Sequence, residues 1–114
     1  MASYKLIYFD FDGGRGEPVR IAFHAAGIAF EDERWTFPEF QEKRGGTRFN
    51  AVPVLEIDGN AFTQSTAMCR YIGRLAGPYP ENHLQALHCE EVMDATEGLT
   101  PVTVRTLGLE GEAL

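Results

Sequence analysis

Ala51-Val52-Pro53-Val54-Leu55-Glu56-Ile57-Asp58-Gly59-Asn60-Ala61-Phe62-Thr63 is the stretch that decides how this 114-residue chain folds. Two short runs of strand-forming residues flank Asp58-Gly59-Asn60. Asp-Gly between such runs predicts a tight β-hairpin, because both residues tolerate the left-handed angles such a turn needs. Beyond the hairpin, Ser65 can cap a helix carrying Met68, Tyr71, Ile72 and Leu75 on one face, ended by Gly77-Pro78. Before it, residues 38–44 predict a short helix stopped by Gly45-Gly46, and residues 28–35 predict a strand. Val19, Ala22, Phe23 and Ala26 recur at helical spacing after Glu17-Pro18, with Gly27 as the stop. Residues 10–16, with three glycines and two aspartates, predict a loop. Tyr4-Lys5-Leu6-Ile7-Tyr8-Phe9 predicts a mostly buried first strand.

The order is therefore β-α-β-α-β-β-α. A strand-helix-strand start requires a parallel pair, and the hairpin adds antiparallel strands. The expected class is α/β, a small mixed sheet with helices on both faces, complete by about residue 78. After Pro80 a longer helical pattern begins, with the stripe Leu84, Leu87, Val92, Ala95 and Leu99 and an expected interruption at Pro101. The first 78 residues offer this stripe no obvious partner. The expected division is 1–78 and 79–114, with the boundary at 77–82.

The chain carries 10 Lys+Arg against 17 Asp+Glu, a formal charge of −7. Nucleic acid and anionic membrane both repel such a surface, so neither is an expected partner. A composition of 44% hydrophobic and 24% charged residues is that of a folded domain. No apolar run approaches the ~20 residues that span a bilayer. Met1-Ala2-Ser3-Tyr4-Lys5 does not open a secretory signal. Cys69 and Cys89 form no CxxC pair, and two isolated thiols suit a reducing compartment, so a cytoplasmic location is expected. His24, His83 and His88 lack paired-ligand spacing, and no metal site is expected.

Two resemblances meet at the first strand. Ile7-Tyr8-Phe9-Asp10-Phe11-Asp12-Gly13 resembles the start of a haloacid-dehalogenase-type phosphatase, in which Asp10 would attack phosphorus and Asp12 handle the proton with Mg²⁺ between them. That family also needs a distant acidic metal pair. Glu90-Glu91 fall in a predicted helix, and Asp10 and Asp12 suit a turn better.

The second resemblance covers most of the chain. Tyr8-Phe9, Gly14-Arg15-Gly16-Glu17, Arg20, Ala25-Ala26-Gly27-Ile28, Phe30-Glu31-Asp32-Glu33-Arg34, Ala51-Val52-Pro53-Val54-Leu55, Gln64-Ser65 and Tyr71-Ile72 together resemble a cytosolic glutathione S-transferase of the sigma-like, tyrosine-using group. The resemblance implies a thioredoxin-like glutathione-binding domain over 1–78. Over 79–114 it implies a linker and the first helix of a truncated helical domain. It implies glutathione as co-substrate, a small electrophile as second substrate, and a homodimer or other self-association. The rival reading is a non-catalytic glutathione-binding or interaction module, such as a crystallin-like relative. The loop after Tyr8 is one residue longer than the common pattern.

The resemblance also assigns roles. Tyr8 would donate a hydrogen bond to the glutathione thiolate, which lowers the thiol pKa by favouring its charged form. A shift of about two units needs roughly 2.7 kcal/mol of preferential stabilisation. Nucleophilicity falls along with the pKa, so activation alone gives only a several-fold gain and positioning supplies the rest. Pro53 would be cis, presenting the Val52 backbone to the tripeptide as an added strand. Gln64 and Ser65 would hold the γ-glutamyl carboxylate at a helix N-terminus. Arg15 would support Tyr8 electrostatically. Phe40 stands where tryptophan is common, and Arg44 where a lysine meets the glycyl carboxylate. Gly98 takes the place of an acid that reaches a partner subunit's glutathione. The absence of CxxC after the first strand argues against a dithiol oxidoreductase.

Overall fold

The computed structural model describes residues 2–105. Its elements are β1 (Tyr4–Phe9), α1 (Glu17–Ala26), β2 (Glu31–Trp35), α2 (Phe37–Lys43), β3 (Val54–Ile57), β4 (Asn60–Phe62), α3 (Ser65–Ala76) and α4 (His83–Val104). Two short 3₁₀ turns, Arg44–Gly46 and Arg48–Asn50, link α2 to β3. The hairpin turn has φ 50° at Asp58 and 84° at Gly59, the paired positive angles of a type I′ turn. Its twist matches that of the flanking strands.

β1 runs parallel to β2 and antiparallel to β3, and β4 completes the order β2-β1-β3-β4. This is the mixed sheet that the order of elements implies, in the thioredoxin-like arrangement that the resemblance implies. Alternation along the strands divides the core. Leu6 and Leu55 face α1 and α3 and pack with Val19, Phe23, Met68 and Ile72. Ile7, Trp35 and Val54 form a smaller cluster on the other face, joined by Phe40 of α2 and by Val52. Burying each large side chain contributes roughly 1.5–3 kcal/mol relative to exposure.

The structure corrects three local expectations. The second strand begins at Glu31, not Ile28. Gly27 ends α1 at φ 68°, Ile28 N–H bonds back to Phe23 O (3.0 Å), and the Phe30 ring stacks on Phe23 at 4.7 Å. Residues 28–30 therefore belong to the helix stop. In α3, Met68 and Ile72 are buried, whereas Tyr71 and Leu75 are exposed, so the inward face is narrower than the four-residue stripe. Pro101 does not end α4, which continues to Val104. A proline forfeits one ladder bond, and here Arg105 N–H picks up the ladder again at Pro101 O (3.3 Å).

The described residues divide into two compact units, the first ending at Tyr79 and the second beginning at Pro80. In the second, Asn82 Oδ1 accepts from Leu84 N–H and Gln85 N–H at 3.0 and 3.1 Å and caps α4. The half-buried positions of α4 are Ala86, Cys89, Glu90, Met93, Glu97 and Thr100. At 100° per residue these lie opposite Leu84, Leu87, Val92 and Leu99, each about 60% exposed or more.

Candidate functional site

One end of the sheet collects the residues of interest. β1 ends at Tyr8-Phe9. Val54, at the start of antiparallel β3, pairs with Ile7, which brings Val52-Pro53 beside that end. β4 leaves its hairpin toward the same end and leads through Gln64 into α3. β2 ends there at Trp35 and leads into α2 with Phe40 and Arg44. The fold thus gathers Tyr8, Arg15, Phe40, Arg44, Val52, Pro53, Gln64 and Ser65 to one rim.

Tyr8 is 6% exposed and sits in a slot made by glycine. A Cβ at Gly16 would overlap its ring, and one at Gly14 would overlap its hydroxyl. Gly14 also has φ 66°, which side chains rarely adopt. Arg15 N–H donates to Tyr8 Oη at 2.9 Å. The oxygen is thereby an acceptor on the loop side, which leaves its own proton to donate elsewhere. Arg15 thus meets Tyr8 through its main chain, whereas the expectation concerned its side-chain charge. The Phe9 and Phe11 rings lie 5.2 and 5.8 Å from the Tyr8 ring.

The loop that carries Arg15 is pinned along its length. Asp10 N–H donates to Trp35 O (2.9 Å), and Gly13 N–H donates to Glu17 Oε2 (3.2 Å). Arg20, only 3% exposed, donates through NH2 to Phe9 O (3.0 Å) and through NH1 to Phe11 O (2.8 Å). It also pairs with Asp32 (3.1 Å) and Glu17 (3.2 Å). Arg34 pairs with Asp10 (3.6 Å), Asp12 (3.2 Å) and Asp32 (3.0 Å). Both carboxylates of the phosphatase reading are thus anchored to an arginine, as turn residues. Among the described residues no group of three or more His, Cys, Asp or Glu is placed to hold a metal ion.

The remaining residues take definite places. The Val52-Pro53 bond is cis, with Pro53 buried. Phe40 is half-buried, its ring 5.0 Å from Phe9, so packing is its visible role. The Arg44 guanidinium lies over the Phe40 ring at 4.9 Å, which steers it. Gln64 is exposed and adopts φ 76° as the residue before α3. Ser65 is the first helical residue, not the cap, and α3 has no side-chain cap bond. Gln64 takes the cap position, so the helix starts one residue earlier than the sequence suggests. The N–H groups of the first turn stay available to an anion, and no acidic residue occupies that turn.

Sequence reasoning missed the buried role of Arg20 and the three-carboxylate grip of Arg34. The signal for Arg20 was present. A cation three residues before Phe23 shares a helix face with it, and a cation on a buried face must be paired.

A family model described as glutathione S-transferase, N-terminal domain, matches residues 4–74. The chain is 43% identical over 88 residues to glutathione S-transferase 1 of Ascaris suum, a match covering 75% of this chain and 42% of that protein. It is 35% identical over 95 residues to S-crystallin SL20-1 of Nototodarus sloanii, covering 82% and 42% respectively. The solved structure of a prostaglandin synthase D of Nilaparvata lugens matches with a TM-score of 0.86 and 33% identity, over 97% of this chain and 55% of that one. The chain spans about half the length of the relatives it matches.

Proposed function

The chain belongs to the glutathione S-transferase family, and from that premise we propose that it binds glutathione at this rim and activates its thiol as thiolate. The reaction class is addition to a small electrophile or a glutathione-dependent isomerisation. A relative named glutathione S-transferase and a structural neighbour named prostaglandin synthase support the two options. The observation that carries the reading is the Arg15 N–H to Tyr8 Oη hydrogen bond of 2.9 Å. It leaves the Tyr8 hydroxyl proton free to donate to a thiolate. The amide bond also makes that hydroxyl a better donor by polarising it.

The other contacts follow from chemistry. Glutathione carries two carboxylates, and the rim offers the α3 N-terminus at Gln64-Ser65 for one and Arg44 for the other. The Val52 backbone, before cis Pro53, pairs with the cysteinyl segment between them. Phe40 contributes by holding Arg44. The Tyr8 slot, closed by Gly14 and Gly16, keeps the phenol in one orientation. Its preorganisation, more than pKa lowering, supplies the rate.

We further propose a cytoplasmic protein that self-associates. Two thiols without a CxxC support the location, and the apolar outer face of α4 supports association. No helix among the described residues is long and apolar enough to cross a membrane. A second reading, glutathione binding without catalysis, is favoured by the likeness to an S-crystallin.

The test is glutathione titration followed by ultraviolet difference absorbance for thiolate. Tyr8→Phe removes one hydroxyl from a packed ring and should keep the fold. Loss of thiolate with binding retained is the expected outcome. Binding without thiolate in the unsubstituted chain would establish the second reading instead.

A further inference from the structure

We infer that Arg20 is a positioning residue for the reaction proposed above, acting on Tyr8 through the loop and not through its charge; this inference rests on that proposed function. Arg20 has a side chain 4% exposed, and its guanidinium lies 5.6 Å from the Tyr8 ring centroid. Two carboxylates, Asp32 and Glu17, already face that guanidinium at 3.1 and 3.2 Å. Its positive charge is therefore largely answered before any thiolate arrives. The uncommitted capacity of the fork goes into the backbone. NH2 donates to Phe9 O at 3.0 Å and NH1 to Phe11 O at 2.8 Å, the carbonyls on either side of Asp10.

Those two carbonyls set the exit of the chain from β1. From there the loop is held at Gly13 by Glu17, the same carboxylate that pairs with Arg20. Two residues later, Arg15 N–H reaches Tyr8 Oη. Arg20 and Glu17 thus fix positions 9, 11 and 13, and the amide that polarises Tyr8 follows from them. A lysine in place of Arg20 keeps the charge, yet a single ammonium cannot reproduce a planar fork that meets two carbonyls and two carboxylates together. If charge mattered, lysine would suffice; if geometry matters, it will not.

The decisive variant is Arg20→Lys, compared with the unsubstituted chain for the pKa of bound glutathione, kcat and KM. The expected result is a raised bound-thiol pKa and a kcat lower by about 10- to 100-fold, the scale of a misplaced catalytic group. KM for glutathione should stay within about threefold, because the carboxylate contacts at α3 and Arg44 are untouched. Protection of the Arg15 amide against hydrogen exchange should fall in parallel. Should Arg20→Lys fail to fold, Glu17→Ala tests the same path through a side chain 30% exposed. It should raise the bound-thiol pKa in the same direction and loosen the Arg15 amide. An unchanged thiol pKa and Arg15 protection in whichever variant folds would overturn the inference while leaving the proposed function standing. A normal thiol pKa in the unsubstituted chain would instead remove the proposed function and, with it, this role for Arg20.

Discussion

Ser65 shows how a single residue can be relieved of the structural role its place in the sequence suggests. As the first helical residue of α3, with Gln64 before it at φ 76°, it makes no cap bond for its own helix. Ser65→Ala should therefore leave stability within about ±0.5 kcal/mol, the usual range for a substitution that breaks no structural contact. If Ser65 holds a carboxylate of glutathione, the same change should weaken binding by roughly 1.5–3 kcal/mol. Calorimetric titration beside a thermal melt separates the two. Equal losses in both would return Ser65 to a purely structural part. The cis bond before Pro53 was readable only with the family resemblance in hand, and the roles proposed for Tyr8 and Ser65 rest on that same resemblance. The main-chain contact from Arg15 was not readable. An amide direction is set by several loop dihedrals together, and the sequence shows only that glycines permit them. Arg20 was readable in principle, since a cation on an apolar helix face needs partners, but the partners lie in β2 and the loop.

At the scale of elements, α2 touches the core mainly through half-buried Phe40. None of its residues is buried, so its start carries much of its definition. Thr36 accepts from Glu39 N–H (3.2 Å), and the Glu39 carboxylate accepts from Thr36 N–H (3.0 Å), a reciprocal box. The bond from the Thr36 backbone holds Glu39 below the ordinary glutamate value, with the Thr36 side chain adding to it. A lowered folded-state pKa means the contribution is complete above the unfolded value. It is lost as pH falls through the lowered one. The protection of the α2 amides relative to their intrinsic exchange rate should therefore fall on acidification below the usual glutamate range, while α1 and α3 keep theirs. Thr36→Ala should loosen α2 at neutral pH by about 1 kcal/mol. If α2 exchange is indifferent to both, the box is ornamental. The hairpin, α1 and the two mixed pairings were legible because Asp-Gly, Gly27 and the spacing of apolar residues act locally. The start of β2 and the width of the α3 face were not, because what decides them is contact with a neighbouring helix.

For the whole molecule, the proposed self-association rests on the second unit. Leu84, Leu87, Val92 and Leu99 form the exposed side of α4. A row of this kind tends to find apolar cover. Light scattering across a concentration series should show association of the chain. Substituting Val92 and Leu99 together by Glu should shift it toward monomer without altering glutathione binding at the rim. A monomer at every concentration would refute the expectation. The stripe was legible from spacing, but its opposite, half-buried side through Cys89 and Met93 was not, because polar and apolar residues alternate along it.

Among the described residues, the order β2-β1-β3-β4 leaves β2 and β4 with one unpaired side each. Open strand sides invite a second chain to continue the sheet, which is how fibrils begin. β4 spans just Asn60–Phe62, too short to template much, and β2 opens with Glu31-Asp32-Glu33, so two copies laid side by side would set carboxylate against carboxylate. Whatever clumping this chain undergoes should therefore run through helix contacts and stay reversible, because neither edge of the sheet is built to recruit another strand.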